Sequence, residues 1–275
     1  MKKQKYMGST FLRWLVRGSM IFTVSVMLFV IGYVLIQGIP YIKPSLFSLK
    51  YTSENVSFLP SILNTIIMVV GSILIAGPLG IFAAIYLVEY ASRGNKVVSI
   101  VRITAETLSG IPSIVYGLFG MLFFVTTLHC GYSLLAGIFT IAIMILPLIM
   151  RTTEEALKSV PDSYREGAYG LGAGKLRTVT TVVLPAAIPG ILAGIILAIG
   201  RVIGETAALI YTAGTVADFP KGIFSSGRTL AVHMYELSRE GLHTGEAYAT
   251  AVFLILLVLL VNWISNRIAL RISNR

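Results

Sequence analysis

Glu166–Gly190 reads EGAYGLGAGKLRTVTTVVLPAAIPG and lies between two stretches apolar enough to live in lipid. It carries Lys175 and Arg177, is dotted with glycines, and ends on Pro185 and Pro189. Its GLGAGK core has the look of a phosphate-cradling loop. A P-loop needs G-x-x-x-x-G-K-[ST], because the lysine must reach the phosphates and the hydroxyl must hold magnesium. Here Lys175 is followed by Leu176, and the residue five before Gly174 is Tyr169, so the motif fails at both ends. G-x-G-x-x-G fails as well, and no strand precedes the loop. The chain is not an ATPase.

A helical reading fits better. Pro161 suits a first helical turn, where its missing N–H costs nothing. Tyr164, Ala168 and Leu171 fall at i, i+4 and i+7 as one apolar stripe. Gly172 and Gly174 suit a helix end and a sharp turn. Leu176, Val179 and Val183 form a second stripe, which Leu184-Pro185 is expected to stop. Two short amphipathic helices on a glycine elbow therefore project from the membrane, and their stripes need a protein surface.

The flanking sequence is membrane sequence. The chain has 275 residues, 56% of them hydrophobic and 12% charged, half the charge of a soluble domain. A crossing needs roughly 20 apolar residues. Six such spans are legible: 18–37, 61–88, 103–128, 132–150, 189–212 and 248–266. These define a cytoplasmic N-terminus 1–17, a six-helix domain 18–266 and a cytoplasmic tail 267–275. The domain includes a cytoplasmic loop 151–187 and an external loop 213–246. The first span is too long for a secretory signal and lacks a small-residue cleavage site, so it is expected to remain as an uncleaved helix.

The net charge of +10 is distributed as a topology signal, and no nucleic acid is needed to explain it. Sixteen Lys and Arg fall in the N-terminus, the second and fourth connections and the tail, against five on the other side. The bias places both termini in the cytoplasm. Cys130 is the only cysteine, so no internal disulfide forms, and His129, His233 and His243 have no metal-ligand spacing.

The fifth span carries Arg201 near its centre and Glu205 four residues later, on the same face of a continuous helix. A charge at the centre costs about 2.5 to 3.5 kcal/mol. The eleven aliphatics from Ile188 to Ile210 return roughly 3 to 7 kcal/mol in total. The two charges nearly cancel the drive to insert, so they must face protein or water. Arg201, with a planar fork suited to an oxyanion, reads as a pathway residue held or neutralised by Glu205. The competing reading is an Arg–Glu fastener between helices. Glu106 opens the third span as a gate residue or a headgroup-level carboxylate. Pro112 frees the carbonyl of Leu108, and Ser109 and Ser113 can line the resulting break, which is either a transport-site interruption or a simple kink. Arg151 stands where the fourth span leaves the membrane. Gly190/Gly194 and Gly200/Gly204 read as close-packing positions. In the outer loop Leu230, Met234 and Leu237 have helical spacing, with Gly241 to end the helix.

The opening stretch also resembles the EAA loop of ABC importer permeases: E-A-A, three residues, Gly, nine residues, I-x-L-P. It supplies Glu166-Gly167-Ala168, Gly172 and Val182-Val183-Leu184-Pro185, with Gly167 for alanine and Val182 for isoleucine. GIPSIVYGLFG (Gly110–Gly120), IMRTTEEALKSVPDSYREGAYGLG (Ile149–Gly172) and GRVIGETAAL (Gly200–Leu209) are similar to the phosphate-specific permeases of that class. The resemblance implies an all-α, six-helix, type I ABC importer fold in a bacterial plasma membrane. It implies a second permease subunit, ATPase subunits seated on Glu166, Gly167, Ala168, Gly172, Leu184 and Pro185, and an external phosphate-binding protein that the outer loop helps to receive. It implies no catalytic residue, metal or cofactor in this chain, ATP and magnesium being bound by the ATPase. A permease for sulfate or molybdate fits the same arginine. A stand-alone secondary phosphate transporter would leave the EAA loop unexplained. An intramembrane enzyme lacks H-E-x-x-H, a nucleophile–base set and paired aspartates.

Overall fold

The computed structural model describes residues 7–92 and 94–273, and every regular element among them is helical. In chain order these are α1 Met7–Gly38, α2 Leu59–Ile85, α3 Lys96–Ser109, α4 Ser113–Gly120, α5 Leu134–Lys158, α6 Asp162–Gly170, α7 Lys175–Thr178, α8 Leu184–Ile203, α9 Ala207–Ile210, α10 Leu230–Glu240 and α11 Thr244–Ser273. Five stretches are long and apolar enough to cross a membrane: α1, α2, α5, α7 running into α8, and α11. A sixth apolar stretch is a bent pair, α3 followed by α4 and its π-helical continuation to Thr127, which meet at 101°.

The bend follows from Gly110-Ile111-Pro112. Proline has no N–H to continue the ladder, and the Leu108 carbonyl instead accepts from the Ile111 N–H at 3.1 Å and the Tyr116 hydroxyl at 2.8 Å. With its carbonyl satisfied, the break is a built interruption and more than a kink.

The fifth span departs from expectation at both ends. Pro185 does not stop the hairpin's second helix, because α7 passes into α8 through a wide π turn at Val179–Val183. The wider turn makes room for the proline ring. Thr180 and Thr181 hydroxyls cover the Leu176 and Arg177 carbonyls just before it, at 2.8 and 2.6 Å. At the other end α8 stops at Ile203 instead of reaching Thr212. Gly204 is its C-cap, and the chain restarts as the one-turn α9.

The core is α2, α5 and α8. Met68, Ile141, Ile145 and Ile149 are fully buried at its centre. Gly71 and Gly80 of α2 face Ile138 and Ile149 of α5, and Gly190 and Gly194 of α8 face Ala156 and Thr152; a Cβ would clash at Gly71, Gly190 and Gly194 and be tight at Gly80. Gly200 and Gly204 meet no neighbouring helix, so only the first glycine pair packs as expected. In contrast, the most apolar stretch of α1 buries nothing in the bundle. Its main neighbour is α11, approached where Gly38 lies on the backbone of Tyr248.

One end of the bundle carries the α2–α3 junction, the end of α5 and the α6–α7 hairpin; it is called the basic end here. The far end is capped by α10, the 44–58 segment and the start of α11, packed around Leu46, Phe58, Leu230 and Leu237. Thr229 accepts from the Val232 N–H to start α10, and Gly241 (φ +74°) ends it. Inside this cap Arg228 lies over the Tyr51 ring at 4.8 Å. His233 beside it is fully buried, with neither ring nitrogen hydrogen-bonded.

Burial, reinforced by the Arg228 charge, pulls the His233 pKa from 6.5 to about 3. Below pH 6.5 the unfolded cap takes up a proton that the folded cap refuses until about pH 3, so stability falls across that window as pH falls. Between pH 6.5 and 5 the loss should approach 1.4 kcal/mol per pH unit. Thermal melts of the purified protein at pH 7, 6 and 5 should show it, and His233→Leu should flatten the dependence. An unchanged slope in that variant would assign the acid sensitivity elsewhere.

Candidate functional site

Arg201 is in the last turn of α8. Because α8 runs antiparallel to α5, with Gly190 on Ala156 and Gly194 on Thr152, Arg201 comes level with the middle of α5. It lines an open groove of about 610 Å³ with Leu148, Ala193, Ile196, Leu197, Gly200 and Asn262. A cation suits the carbonyl end of a helix, which partly offsets the cost of its depth. The side chain is exposed and forms no ion pair among the described residues. The expected Arg201–Glu205 pair is not made. Its spacing presumed an unbroken helix, whereas the helix ends between the two residues. Glu205 is 8% exposed and accepts from the Ala208 N–H at 3.1 Å, capping α9. The fastener reading therefore loses its geometry.

The two helix breaks lie side by side. Gly117 of α4 is against Ala208 of α9, and Gly120 is against Thr140 and Thr212. One turn back along α4 from the Gly117 contact is Ser113. Ser113 is half-buried at the first position of α4. Ser109 is exposed, and its hydroxyl donates to the Ala105 carbonyl at 2.9 Å. Interrupted helices meeting inside a membrane protein are a recurrent substrate-site arrangement, and irregular backbone at such depth is tolerated where it lines a cavity or is buried in protein.

Glu106 and Arg151 form a separate group toward the basic end. They approach each other to 3.9 Å, and Arg151 also meets Glu155 at 3.3 Å. One turn on, buried Glu154 receives Arg102 at 2.7 Å and Lys158 at 2.6 Å. These six alternating charges enclose a cavity of about 220 Å³ between α3 and α5. The expected pathway residues thus divide into a site at mid-depth and a charged mouth. Sequence reading missed Arg102, Glu154, Glu155 and Lys158, although the run Arg151, Glu154, Glu155, Lys158 has the i+3 and i+4 spacing of mutual ion pairs.

The hairpin protrudes from the basic end. Its elbow is Gly172, with φ +82°. Leu171 is 91% exposed and Leu176 68%; Tyr164, Glu166 and Gly167 are also exposed, and Ala168 is half-buried. The first stripe faces outward as expected. The second divides: Val179 and Val183 turn inward and are buried, leaving Leu176 outside. Leu184 is half-buried and Pro185 exposed. Arg165, unremarked in the sequence, is 14% exposed in its side chain and joins α6 to Glu89 at 2.7 Å.

A helical membrane bundle with paired breaks at mid-depth and a projecting hairpin at one end has the form of an importer permease. Residues 76–274 match the family model described as the binding-protein-dependent transport system inner membrane component, and the chain belongs to that family. It is an ABC importer permease with the type I fold. Among its relatives, the probable ABC transporter permease protein YqgI of Bacillus subtilis is 34% identical, over 77% of this chain and 76% of that one. The phosphate transport system permease protein PstA of Pasteurella multocida is 35% identical, over 82% and 81%. PstA 2 of Mycobacterium bovis is 38% identical, over 75% and 72%. Among solved structures, a bacterial ABC transporter involved in alginate import aligns with a TM-score of 0.69 over 98% of this chain and all of that one, at 17% identity. The inward-facing MetNI methionine transporter aligns at 0.60, over 78% and 93%, at 21% identity. These two carry the fold alone.

Proposed function

We propose that the chain is one of two permease subunits in an ATP-driven importer of inorganic phosphate. The observation that carries the reading is Arg201, a guanidinium with no ion pair among the described residues, level with the middle of α5 and in an open groove on the outside of the bundle. A groove on the outer face is completed by a second permease, so the pathway runs between the two chains. The PstA names of several relatives support phosphate. The planar fork of Arg201 supports a tetrahedral oxyanion of any kind, which leaves sulfate and molybdate as competitors. Ser109 and Ser113 flank the anion's path, and Glu205 fixes the end of α9 beside it. The Glu106–Arg151 pair stands at the cytoplasmic exit.

The exposed hairpin residues Glu166, Gly167, Ala168, Leu171 and Gly172 seat an ATPase subunit, which binds the ATP and magnesium, with Leu184-Pro185 as the hairpin's root. The far-end cap receives an external phosphate-binding protein. The excess of basic residues at the hairpin end places that end and both termini in the cytoplasm. In proteoliposomes holding the second permease, the ATPase and the binding protein, phosphate uptake should require ATP on the hairpin face. A tenfold excess of sulfate or molybdate should leave uptake within twofold. Uptake without ATP would favour a stand-alone transporter, and strong inhibition by either competing anion would reassign the substrate.

A further inference from the structure

Arg165 is the most fully bonded side chain at the basic end. Its Nε–H donates to Glu89 at 3.2 Å, and its Nη2 donates to Glu89 at 2.7 Å and to the Leu157 carbonyl at 2.9 Å. Its Nη1 donates to the Val160 carbonyl at 2.8 Å and to Asp162 at 3.2 Å. All five N–H donors of a guanidinium are occupied. The acceptors come from three places: the foot of α2, the end of α5 and the start of α6. Leu157 is among the last carbonyls of α5, which have no i+4 partner in the helix itself, and Val160 follows just past its end. A lysine, with one compact ammonium, cannot reach this set.

A second contact has the same target. Lys175, the first residue of α7, lies over the Tyr90 ring at 5.1 Å. Glu89 and Tyr90 both belong to the π turn Tyr86–Tyr90 that ends α2. Both arms of the hairpin therefore grip one irregular turn, and π turns of this kind recur at functional positions. From there α2 runs through the core to the far-end cap. Its Asn64 donates to the Arg228 carbonyl at 3.1 Å, and Thr65 accepts from the Leu230 N–H at 2.9 Å. A helix of 27 residues is about 40 Å long at 1.5 Å per residue. It is one continuous helix from the hairpin to the cap, with Pro78 inside it.

We propose that Arg165 is the transmission joint of this permease, locking α6 to the π turn at the foot of α2 so that displacement of the hairpin is delivered along α2 to the far-end cap. The proposal rests on the reading of the hairpin as the ATPase seat. Arg165 is on this account a positioning residue that touches neither substrate nor nucleotide. A buried ion pair is weak evidence for stability; what the fork supplies is a fixed angle between two elements.

The test uses the complete reconstituted complex and three readouts: ATPase retained on the permease, hydrolysis rate, and phosphate moved per ATP hydrolysed. Arg165→Gln and Glu89→Gln should retain the ATPase and hydrolyse within twofold of the unaltered complex, while phosphate per ATP falls at least tenfold. Arg165→Lys should recover less than half of the loss. An unchanged ratio in the assembled variants would overturn the joint, as would full recovery by lysine. Failure of every variant to assemble, Glu89→Gln included, would reduce the pair to a structural fastening and overturn it equally. If the unaltered chain retains no ATPase, the hairpin reading has failed first, and that outcome is visible before any variant is made.

Discussion

Replacing Arg201 with glutamine should abolish anion uptake in a complex that assembles normally. The guanidinium has no partner among the described residues, so removing its charge strands no buried carboxylate and leaves no hole in the core. What is lost, on the proposed reading, is the charge that meets the anion away from bulk water. Truncating one member of such a contact costs about 2 to 5 kcal/mol, which is roughly a thirtyfold to several-thousandfold loss of transport. Arg201→Lys should recover little, since a point charge lacks the bidentate fork. Glu205→Gln should behave differently, because an amide oxygen can still accept from the Ala208 N–H, and near-normal uptake is expected. The measurement is uptake per assembled complex across the three variants. Near-normal transport by Arg201→Gln would remove the residue from the pathway.

The second large effect is expected at the elbow. A Cβ at Gly172 would meet nothing within 4 Å, so space is not the obstacle. The obstacle is φ +82°, where a β-branched residue is a genuine outlier. Holding a non-glycine residue in such a region costs on the order of 1 to 3 kcal/mol, enough for the elbow to relax and the exposed Leu171 and Leu176 to lose their relative placement. Gly172→Val should therefore insert into the membrane yet lose ATPase retention and uptake by tenfold or more. Gly172→Asn should keep most of both, since asparagine tolerates left-handed backbone. Equal behaviour of the two variants would show that the backbone at this position is not the hairpin's constraint.

Much of this molecule was legible as sequence. The apolar runs located the five long apolar helices and the bent α3–α4 pair, Gly172 marked the elbow, and Gly241 marked the end of α10. Pro112 marked the break in the third crossing, though not the Tyr116 hydroxyl that satisfies Leu108. The fifth crossing was misjudged for a physical reason. Spacing of i and i+4 implies contact only if the helix continues, and Gly204 next to a carboxylate is equally a stop followed by a cap. Pro185 was expected to end a helix because the wide turn that absorbs it has no composition signal of its own. Arg165 and Glu89 are 76 positions apart, and nothing in either neighbourhood connects them. The charged mouth was half seen, because Arg151 and Glu106 stood out against apolar sequence while Glu154 and Lys158 read as ordinary solvated charges.

If a second permease completes the outward groove, as proposed, Arg201 also bears on how the chain fares without that partner. On that reading a solitary copy turns the groove toward lipid, and a guanidinium held in hydrocarbon costs about 2.5 to 3.5 kcal/mol. That is a bias of roughly a hundredfold against the lone subunit. On that reading, the residue that meets the cargo also disfavours a copy of the chain left without its partner.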